Sequence, residues 1–437
     1  MTIEPITTFW VSFLTIAPVF FLIAARRVFQ PGPLSPVWIT VAVISIVGTS
    51  GFLLSDFLTG AQGGSIVLEL SPSQRIQTAL LYAATAWLII AGSFGSVFVR
   101  ARTSIRADLR ALSLNHRTQT LALLVAIVPL VLMGIALGDT ILARSVYLAG
   151  ERGGQLLGLG QQLATAAAAI IGYVIVAGSK TQRFFAIVIG VAILAVFFGL
   201  GSRRLALLPI VVAIGAVLAN PKKWVRYLLP AALVAAVLLP LPLYLRGSMT
   251  HGILPYLGQL ASFDIALIDW RSTINNVLIS FPITGATVFQ VQPIPMEYFW
   301  VSLNPLPGNI AGFYDITENL GLNRYTPYST IGEVWNRGPM VGLLFWLSVG
   351  VLLAWLDGQV GKWMRTRYAF VGLIIVVLAA LFALTCLQYN LRASGRMLIY
   401  AAAATMAASI ILSPVWSRRN RSAIDPPHAR NPTSQTS

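Results

Sequence analysis

Arginine residues set inside apolar sequence are the first feature of this chain that points to chemistry. In the stretch FFGLGSRRLALLPIVV, Arg203 and Arg204 interrupt what is otherwise one long apolar run. An arginine near the centre of a bilayer costs about 2.5 kcal/mol or more, so an adjacent pair must face protein, water or an anion. Two interpretations follow. Either both side chains reach up to lipid head groups, or they form an anion clamp at the floor of an outward-facing cavity.

A second pair of arginines lies near the end of the chain, in the stretch QYNLRASGRMLIY. Arg392 and Arg396 are four residues apart and would point the same way on a helix. Gly395 makes a continuous helix uncertain at this point of the sequence, because glycine disfavours helix interiors. The pair is interpreted either as part of an anion site or as a simple outer turn.

Between the two arginine pairs, residues 246–339 form a long stretch that differs from the rest of the chain. It has eight prolines, so it is not one helix, and it has 13 aromatic residues. Some aromatics, such as Trp270 and Trp300, are expected on short amphipathic helices at the membrane interface, and others on flat walls for sugar rings. Six acidic residues complete the set: Asp264, Asp269, Glu297, Asp315, Glu318 and Glu333. Arginines, carboxylates and aromatics together suit a phosphorylated lipid that carries a glycan.

The composition identifies the elements that must position these residues. Hydrophobic residues make up 57% of the 437-residue chain, charged residues only 10%, and the mean hydropathy is +0.78. Runs of about 20 apolar residues span a bilayer as helices. The sequence therefore predicts an all-α polytopic membrane protein with about 11 transmembrane helices, at 8–25, 37–54, 76–99, 118–137, 159–178, 184–200, 205–219, 227–245, 340–356, 368–387 and 397–414.

The charges orient these predicted spans. With the N-terminus outside, the inner segments carry 19 lysines and arginines against three acidic residues, and the outer segments carry 11 of each sign. Cytoplasmic loops are enriched in lysine and arginine, so this orientation is the expected one. It places the C-terminus in the cytoplasm and explains the net charge of +16 without a nucleic-acid partner.

The predicted organisation has four parts. Residues 1–245 hold transmembrane helices 1–8, 246–339 form one large outer loop with short helices, 340–414 hold helices 9–11, and 415–437 form a disordered cytoplasmic tail. Residues 184–219 must cross the membrane twice, although 36 helical residues extend about 54 Å and two crossings need about 60 Å. The arginine pair is therefore expected in a dip of the outer surface, and Pro209 is expected to bend or break the helix that follows.

Several classes of function are disfavoured by what the sequence lacks. A single cysteine, Cys386, allows no intrachain disulfide, and His116, His251 and His428 match no metal-ligand spacing. The sequence has no GxxxxGK[ST] motif for ATP-driven transport. No cofactor and no metal site are predicted.

Taken together, the arrangement resembles the O-antigen polymerase (Wzy-type) and oligosaccharide repeat-unit polymerase superfamily. The similar pieces are GSR between two mid-chain spans, one long outer loop, FWVSLNPLPG at 299–308, and YTPYSTIGEVWNRGPMVGLLFWL at 325–347. In the last piece, Gly332, Glu333, Trp335, Gly338 and Gly342 match the family pattern of a Gly-Glu pair, an aromatic residue and two later glycines.

The resemblance implies an architecture like that of GT-C glycosyltransferases and a metal-independent polymerase at the outer face of the cytoplasmic (inner) membrane. Such enzymes transfer a growing saccharide from its polyprenyl pyrophosphate to the next lipid-linked unit, yielding O-antigen, capsule or exopolysaccharide. A chain-length regulator protein is a further expected partner, besides membrane lipid. Arg203 is assigned to the pyrophosphate, with Arg204, Arg392 and Arg396 as helpers, because arginine binds phosphate bidentately.

Three further assignments depend on the same resemblance. Glu333 and Asp264 are the candidate general bases for the acceptor hydroxyl. For Glu333, a salt bridge with Arg337, four residues on, is the alternative. Arg271 and Arg324 are candidates for gripping the glycan or a second phosphate.

Three other functions compete with the polymerase. O-antigen ligases usually carry a histidine before the Gly-Glu helix, where this chain reads RYTPYSTIGE, so a ligase is disfavoured. A transporter or flippase of lipid-linked saccharides predicts charged residues inside the spans, and the predicted spans contain almost none. A shape or division protein of the membrane is a third alternative, whose motifs are not evident in the sequence.

Overall fold

A computed structural model of the chain describes residues 3–25, 35–55, 69–100, 116–147, 154–262, 264, 268–306, 308, 310–323, 326–364 and 369–424. The α-helices of this part are α1 (Pro5–Ala24), α2 (Pro36–Leu53), α3 (Pro72–Arg100), α4 (His116–Leu137), α5 (Gly154–Ala177), α6 (Lys180–Gly199), α7 (Arg204–Ala219), α8 (Trp224–Leu238), α9 (Leu241–Arg246), α10 (Ile253–Ala261), α11 (Trp270–Leu278), α12 (Ser280–Phe289), α13 (Met296–Leu303), α14 (Phe313–Ile316), α15 (Thr330–Asn336), α16 (Pro339–Trp363), α17 (Ala369–Gln388) and α18 (Leu391–Ile424). Two short antiparallel strands, β1 (Gly321–Asn323) and β2 (Thr326–Pro327), pair with Gly321 opposite Pro327.

The described part contains ten helices that are long and apolar enough to cross a bilayer, with α8 and α9 counted as one crossing, Trp224–Arg246. This confirms the prediction of an all-α polytopic membrane protein. The one predicted span outside these ten, 205–219, corresponds to α7, which is apolar but has 16 residues. A helix of that length extends about 24 Å, short of the roughly 30 Å of a hydrocarbon core. A short α7 is what the length of the 184–219 hairpin predicts.

The core of the bundle is centred on α17, which packs against α2, α5, α16 and α18. Glycines let several of these helices approach closely, as is common where helices pack in membranes. A side chain at Gly92 would overlap the main chain at Leu347, and one at Gly350 would overlap that at Ile89, so α3 and α16 are in backbone contact. Lipid-facing sides are instead lined by exposed apolar residues, such as Phe184 on α6 and Leu233 on α8.

The pair formed by α5 and α7 has the same close packing. A Cβ at Gly172 would overlap the carbonyl oxygen of Val212, and a Cβ at Gly215 would overlap that of Ala169. Because main chain faces main chain at both points, neither contact can be relieved by a change of rotamer. The glycines therefore fix the position of α7 and of the arginines at its start.

We expect Gly172→Ala to lower the free energy of unfolding by about 1–3 kcal/mol or more, because the added methyl group forces α5 and α7 apart. Gly158 lies on the same helix in open space, where an added Cβ would have no atom within 4 Å, so Gly158→Ala is the matched control. The thermal unfolding midpoint in detergent measures both. An unchanged midpoint for Gly172→Ala would contradict the close packing of α5 on α7.

Two short helices of the 246–339 segment lie inside the bundle. On α12, Phe281 is buried and stacks on Tyr82 of α3, with ring centroids 5.8 Å apart. On α15, Ile331 and Val334 are fully buried in the main core. Thr284 of α12 is satisfied within its own helix, because its hydroxyl donates to the carbonyl of Ser280 at 2.9 Å. The side of the membrane on which the rest of this segment lies stays a prediction.

Two local expectations differ from the structure. The helix α7 continues through Pro209, so the expected break at this residue is wrong. Proline removes a single main-chain hydrogen bond, and in membrane helices packed neighbouring helices make up for this loss. The last helix continues to Ile424, into the segment 415–437 for which the sequence predicts disorder. Adding residues to an existing helix costs far less than starting one, and arginine is a good helix former. Residues 425–437 lie outside the described part.

Candidate anion-binding site

The turn that carries Arg203 and Arg204 is a defined helix-capping motif. Beyond the end of α6, the N–H of Gly201 donates to the carbonyl of Phe198 at 2.8 Å, and the N–H of Ser202 donates to that of Phe197 at 3.0 Å. This hydrogen-bond pattern is a Schellman motif, which needs a left-handed residue, and Gly201 has φ 58°. The motif places Arg203 just before α7 and Arg204 at its first position.

Arg203 lies in a recess that is open to solvent. Its side chain is exposed, yet burial by surrounding protein lowers the pKa of its guanidinium, Tyr389 raises it and Arg246 lowers it further. Its Nη1 donates to Oε1 of Gln388 at 3.1 Å, at the end of α17. A guanidinium that solvent reaches but that protein largely surrounds is suited to bind a ligand that enters from solvent.

Two more arginines, from other parts of the chain, donate hydrogen bonds to the same turn. Nε of Arg246, at the end of α9, donates to the carbonyl of Gly201 at 3.0 Å. Nη1 of Arg144 donates to the carbonyl of Gly199 at 3.1 Å. Tyr147 joins them, because Arg246 stacks over its ring at 4.8 Å and Nε of Arg144 donates to its carbonyl at 3.3 Å. We call Arg144, Arg203, Arg204 and Arg246 the arginine cluster.

The arginine cluster has an excess of positive charge. Within the described residues, none of its four guanidinium groups forms an ion pair with a carboxylate. Nη2 of Arg144 and Nη1 of Arg204 are buried donors without a hydrogen-bond partner. Buried donors are normally satisfied, so these two are available to bind an acceptor. The positive end of the α7 dipole adds to the same field, so the arrangement favours an anion.

His251 lies beside the arginine cluster. His251 pairs with Arg144 through two antiparallel main-chain hydrogen bonds of 2.7 and 2.8 Å. Its Nδ1 is 2.9 Å from the hydroxyl of Tyr256, and this fully buried tyrosine packs beneath Gly201. Burial and the charge of Arg144 lower the pKa of His251 and so favour the neutral ring. The pair supports the turn that carries the arginines.

Arg392 and Arg396 do not belong to the arginine cluster. Arg392 is buried, and its guanidinium donates to the carbonyls of Val301 at 2.8 Å, Asn304 at 3.0 Å and Leu306 at 2.6 Å. Nη2 of Arg396 donates to the same carbonyl of Leu306 at 2.8 Å. These contacts hold the end of α13 against α18, and in both arginines they use guanidinium N–H groups to bind main-chain carbonyls.

Glu333 is also engaged by the protein itself. Its side chain is fully buried, with Oε1 3.0 Å from Nη2 of Arg337 and Oε2 accepting from the N–H of Leu391 at 2.7 Å. Burial raises the pKa of this carboxyl, and the charge of Arg337 opposes the rise. This geometry favours the salt-bridge alternative for Glu333, which ties α15 to the start of α18.

Two of the remaining predicted site residues, both from the 246–339 segment, are described. Asp264 and Arg271 are exposed, on the stretch before α11 and on its first turn. Arg324 lies outside the described residues. Among the residues that are described, no group of three or more histidine, cysteine or acidic side chains is arranged to hold a metal ion.

No protein-family model, no curated protein and no solved structure matches the chain.

Proposed function

We propose that the protein is a membrane glycosyltransferase that polymerises oligosaccharide repeat units carried on polyprenyl pyrophosphate, at the outer face of the cytoplasmic membrane. The observation that carries the proposal is the arginine cluster. Arg144 and Arg246 donate to main-chain carbonyls of the Gly201 turn, the same turn carries Arg203 and Arg204, and none of the four has an acidic partner among the described residues. The turn leads into a helix that is shorter than a hydrocarbon core is thick.

The chemistry requires such a site. Transfer breaks the bond between the sugar carbon and the pyrophosphate oxygen, and the electron pair leaves with the lipid pyrophosphate. Fixed positive groups in a site of low dielectric stabilise that developing charge. Arginine remains protonated in such surroundings and binds phosphate oxygens through paired hydrogen bonds. In this proposal Arg203 contacts the pyrophosphate, and Arg204, Arg144 and Arg246 complete the pocket.

The acceptor hydroxyl needs a base within hydrogen-bond reach. Of the two carboxylates that the sequence offers, Asp264 is exposed and Glu333 is fully buried with both oxygens engaged. The proposal therefore keeps Asp264 as the candidate base and gives Glu333 a positioning role. The GT-C-like architecture and the placing of the long segment on the outer side belong to the same proposal.

The test is reconstitution of the purified protein with lipid-linked repeat units and separation of the products by length on a gel. The proposal expects a ladder of saccharides that grows with time and remains attached to lipid. Transfer of saccharide to a lipid A core acceptor without lengthening would favour the ligase. Movement of the intact lipid-linked unit across the bilayer, without new glycosidic bonds, would favour the flippase.

One structural observation bears on the flippase alternative. In the described spanning helices, charged residues lie within about two turns of a helix end, for example Arg183 on α6 and Asp357 on α16. A path for a charged substrate through the bilayer would be expected to carry such residues further inside. The polymerase remains the better supported function.

A further inference from the structure

The nine-residue helix α10 is apolar on both of its sides. Its sequence, ILPYLGQLA, has one polar side chain, Gln259, besides the hydroxyl of its tyrosine. Tyr256 is fully buried, and Leu260 packs with it against the end of α6. On the other side, Leu254 is 59% exposed and Leu257 is 53% exposed. A helix that is apolar all round is normally covered on every side, so something other than water is expected to cover this exposed face.

The position of α10 identifies that cover as lipid. The exposed apolar stripe of α6 runs from Phe184 through Val191 to Leu194 and then ends. Over the last turn of α6, Ile253 of α10 lies against Gly199, so α10 covers the surface of α6 where the exposed stripe ends. Leu194 is five residues before the end of a helix of spanning length, which is about 8 Å. Amphipathic helices at an interface bury their apolar face to about 5–10 Å.

Charge and attachment agree with this position. Between Arg246 and Asp264 the chain has no aspartate, glutamate, lysine or arginine. The start of α10 is hydrogen-bonded to the turn that follows α4, because the N–H of Leu254 donates to the carbonyl of Leu142 at 3.0 Å. The exposed face is therefore held beside spanning helices rather than on a free loop.

We propose that α10 is an interfacial helix, with Leu254 and Leu257 among the acyl chains of the bilayer and Tyr256 facing the protein. Because Tyr256 packs beneath Gly201, the inserted helix holds the arginine turn at the depth of lipid head groups. The inference depends on the membrane architecture and not on the proposed reaction.

Nitroxide labels on single cysteines test the position directly. Cys386 is the only cysteine and is fully buried, so Cys386→Ala gives a background for Leu254→Cys and Leu257→Cys. Val191→Cys on α6 is the lipid-facing control, and Glu318→Cys is the water-facing control. The full-length protein is reconstituted without substrate in phosphatidylethanolamine–phosphatidylglycerol vesicles, and collision with oxygen and with a nickel chelate is measured.

The proposal expects labels at 254 and 257 to behave like the label at 191, with an oxygen-to-nickel accessibility ratio several-fold above that at 318. Nickel accessibility equal to that at 318 overturns it, because the face is then in water. Labels that neither reagent reaches also overturn it, because the face is then covered by protein. No substrate is present, so the result is separate from the success or failure of the elongation assay.

Discussion

Arg203→Ala is expected to lower the rate of saccharide elongation by about 100-fold or more, while the protein still folds. The loss follows from the role of the guanidinium, because removing one preorganised donor to a developing negative charge costs about 3–4 kcal/mol of transition-state stabilisation. The side chain is exposed, and its hydrogen bonds to Gln388 and to the carbonyl of Asn276 are not part of the apolar core, so the protein is expected to fold without it. The measurement is the initial rate of chain lengthening in proteoliposomes.

Two variants make this prediction specific. Arg226→Ala, an exposed arginine near the start of α8, is the matched control and is expected to keep the wild-type rate. Arg203→Lys keeps the charge but loses the paired hydrogen bonds, and an intermediate rate is expected. Equal rates for Arg203→Ala and Arg226→Ala would remove Arg203 from the mechanism.

Glu333→Gln is expected to destabilise the protein by about 3–5 kcal/mol, because breaking a buried ion pair leaves the partner's charge uncompensated. Arg337 would keep its positive charge beside a neutral amide, the main-chain carbonyl of residue 333 and the ring of Phe299, with no negative charge among the described residues in contact with it. The start of α18 would also lose the carboxylate that accepts from Leu391. The measurement is the thermal unfolding midpoint in detergent.

Glu297→Gln is the matched control, since Glu297 is exposed in the first turn of α13 and its midpoint is expected to stay unchanged. Replacing both partners, in Glu333→Gln with Arg337→Met, is expected to recover part of the lost stability because no buried charge is then left unpaired. A Glu333→Gln variant with a wild-type midpoint but no elongation would contradict the positioning role and return Glu333 to the role of base.

The parts of this fold that sequence predicts best are those set by length and composition. The spans follow from apolar runs, and the boundaries of the predicted span 205–219 differ from those of α7 by one residue at its start. The short hairpin follows from counting residues against the thickness of a bilayer. A prediction from the residue type alone failed where packing between helices determines the structure. At Pro209 the helix stays whole because it packs against adjacent helices.

The members of the arginine cluster come from distant segments, so the sequence predicts the cluster only in part. Arg203 and Arg204 are visible in the sequence since they interrupt an apolar run. Arg144 and Arg246 are equally charged, but the contacts with Gly199 and Gly201 that bring them to the cluster are long-range. The antiparallel pairing of Arg144 with His251 is likewise a tertiary feature. The available sequence signal was their place on the predicted outer side, where the positive-inside rule does not require arginine.

For Glu333 and Arg392 the sequence allowed two roles each, and the contacts of the side chains in the structure favour one of them. The spacing of Glu333 and Arg337 fits both a base beside an arginine and a helical ion pair, and burial favours the second. The four-residue spacing of Arg392 and Arg396 correctly predicts one face of a helix. What that face contacts, the carbonyls that end α13, depends on how the 246–339 segment folds back.

Binding of the carrier lipid to the purified protein is the most direct test of the central claim, that the arginine cluster holds a lipid-borne pyrophosphate. Native mass spectrometry would compare polyprenyl pyrophosphate with the uncharged polyprenol on the wild type and on Arg203→Ala. Loss of charged hydrogen bonds worth about 1.5–3 kcal/mol each corresponds to a loss of affinity of about 10- to 100-fold. The expected result is that the wild type prefers the pyrophosphate and that Arg203→Ala loses this preference. Equal retention of polyprenol and polyprenyl pyrophosphate by the wild type would contradict the claim.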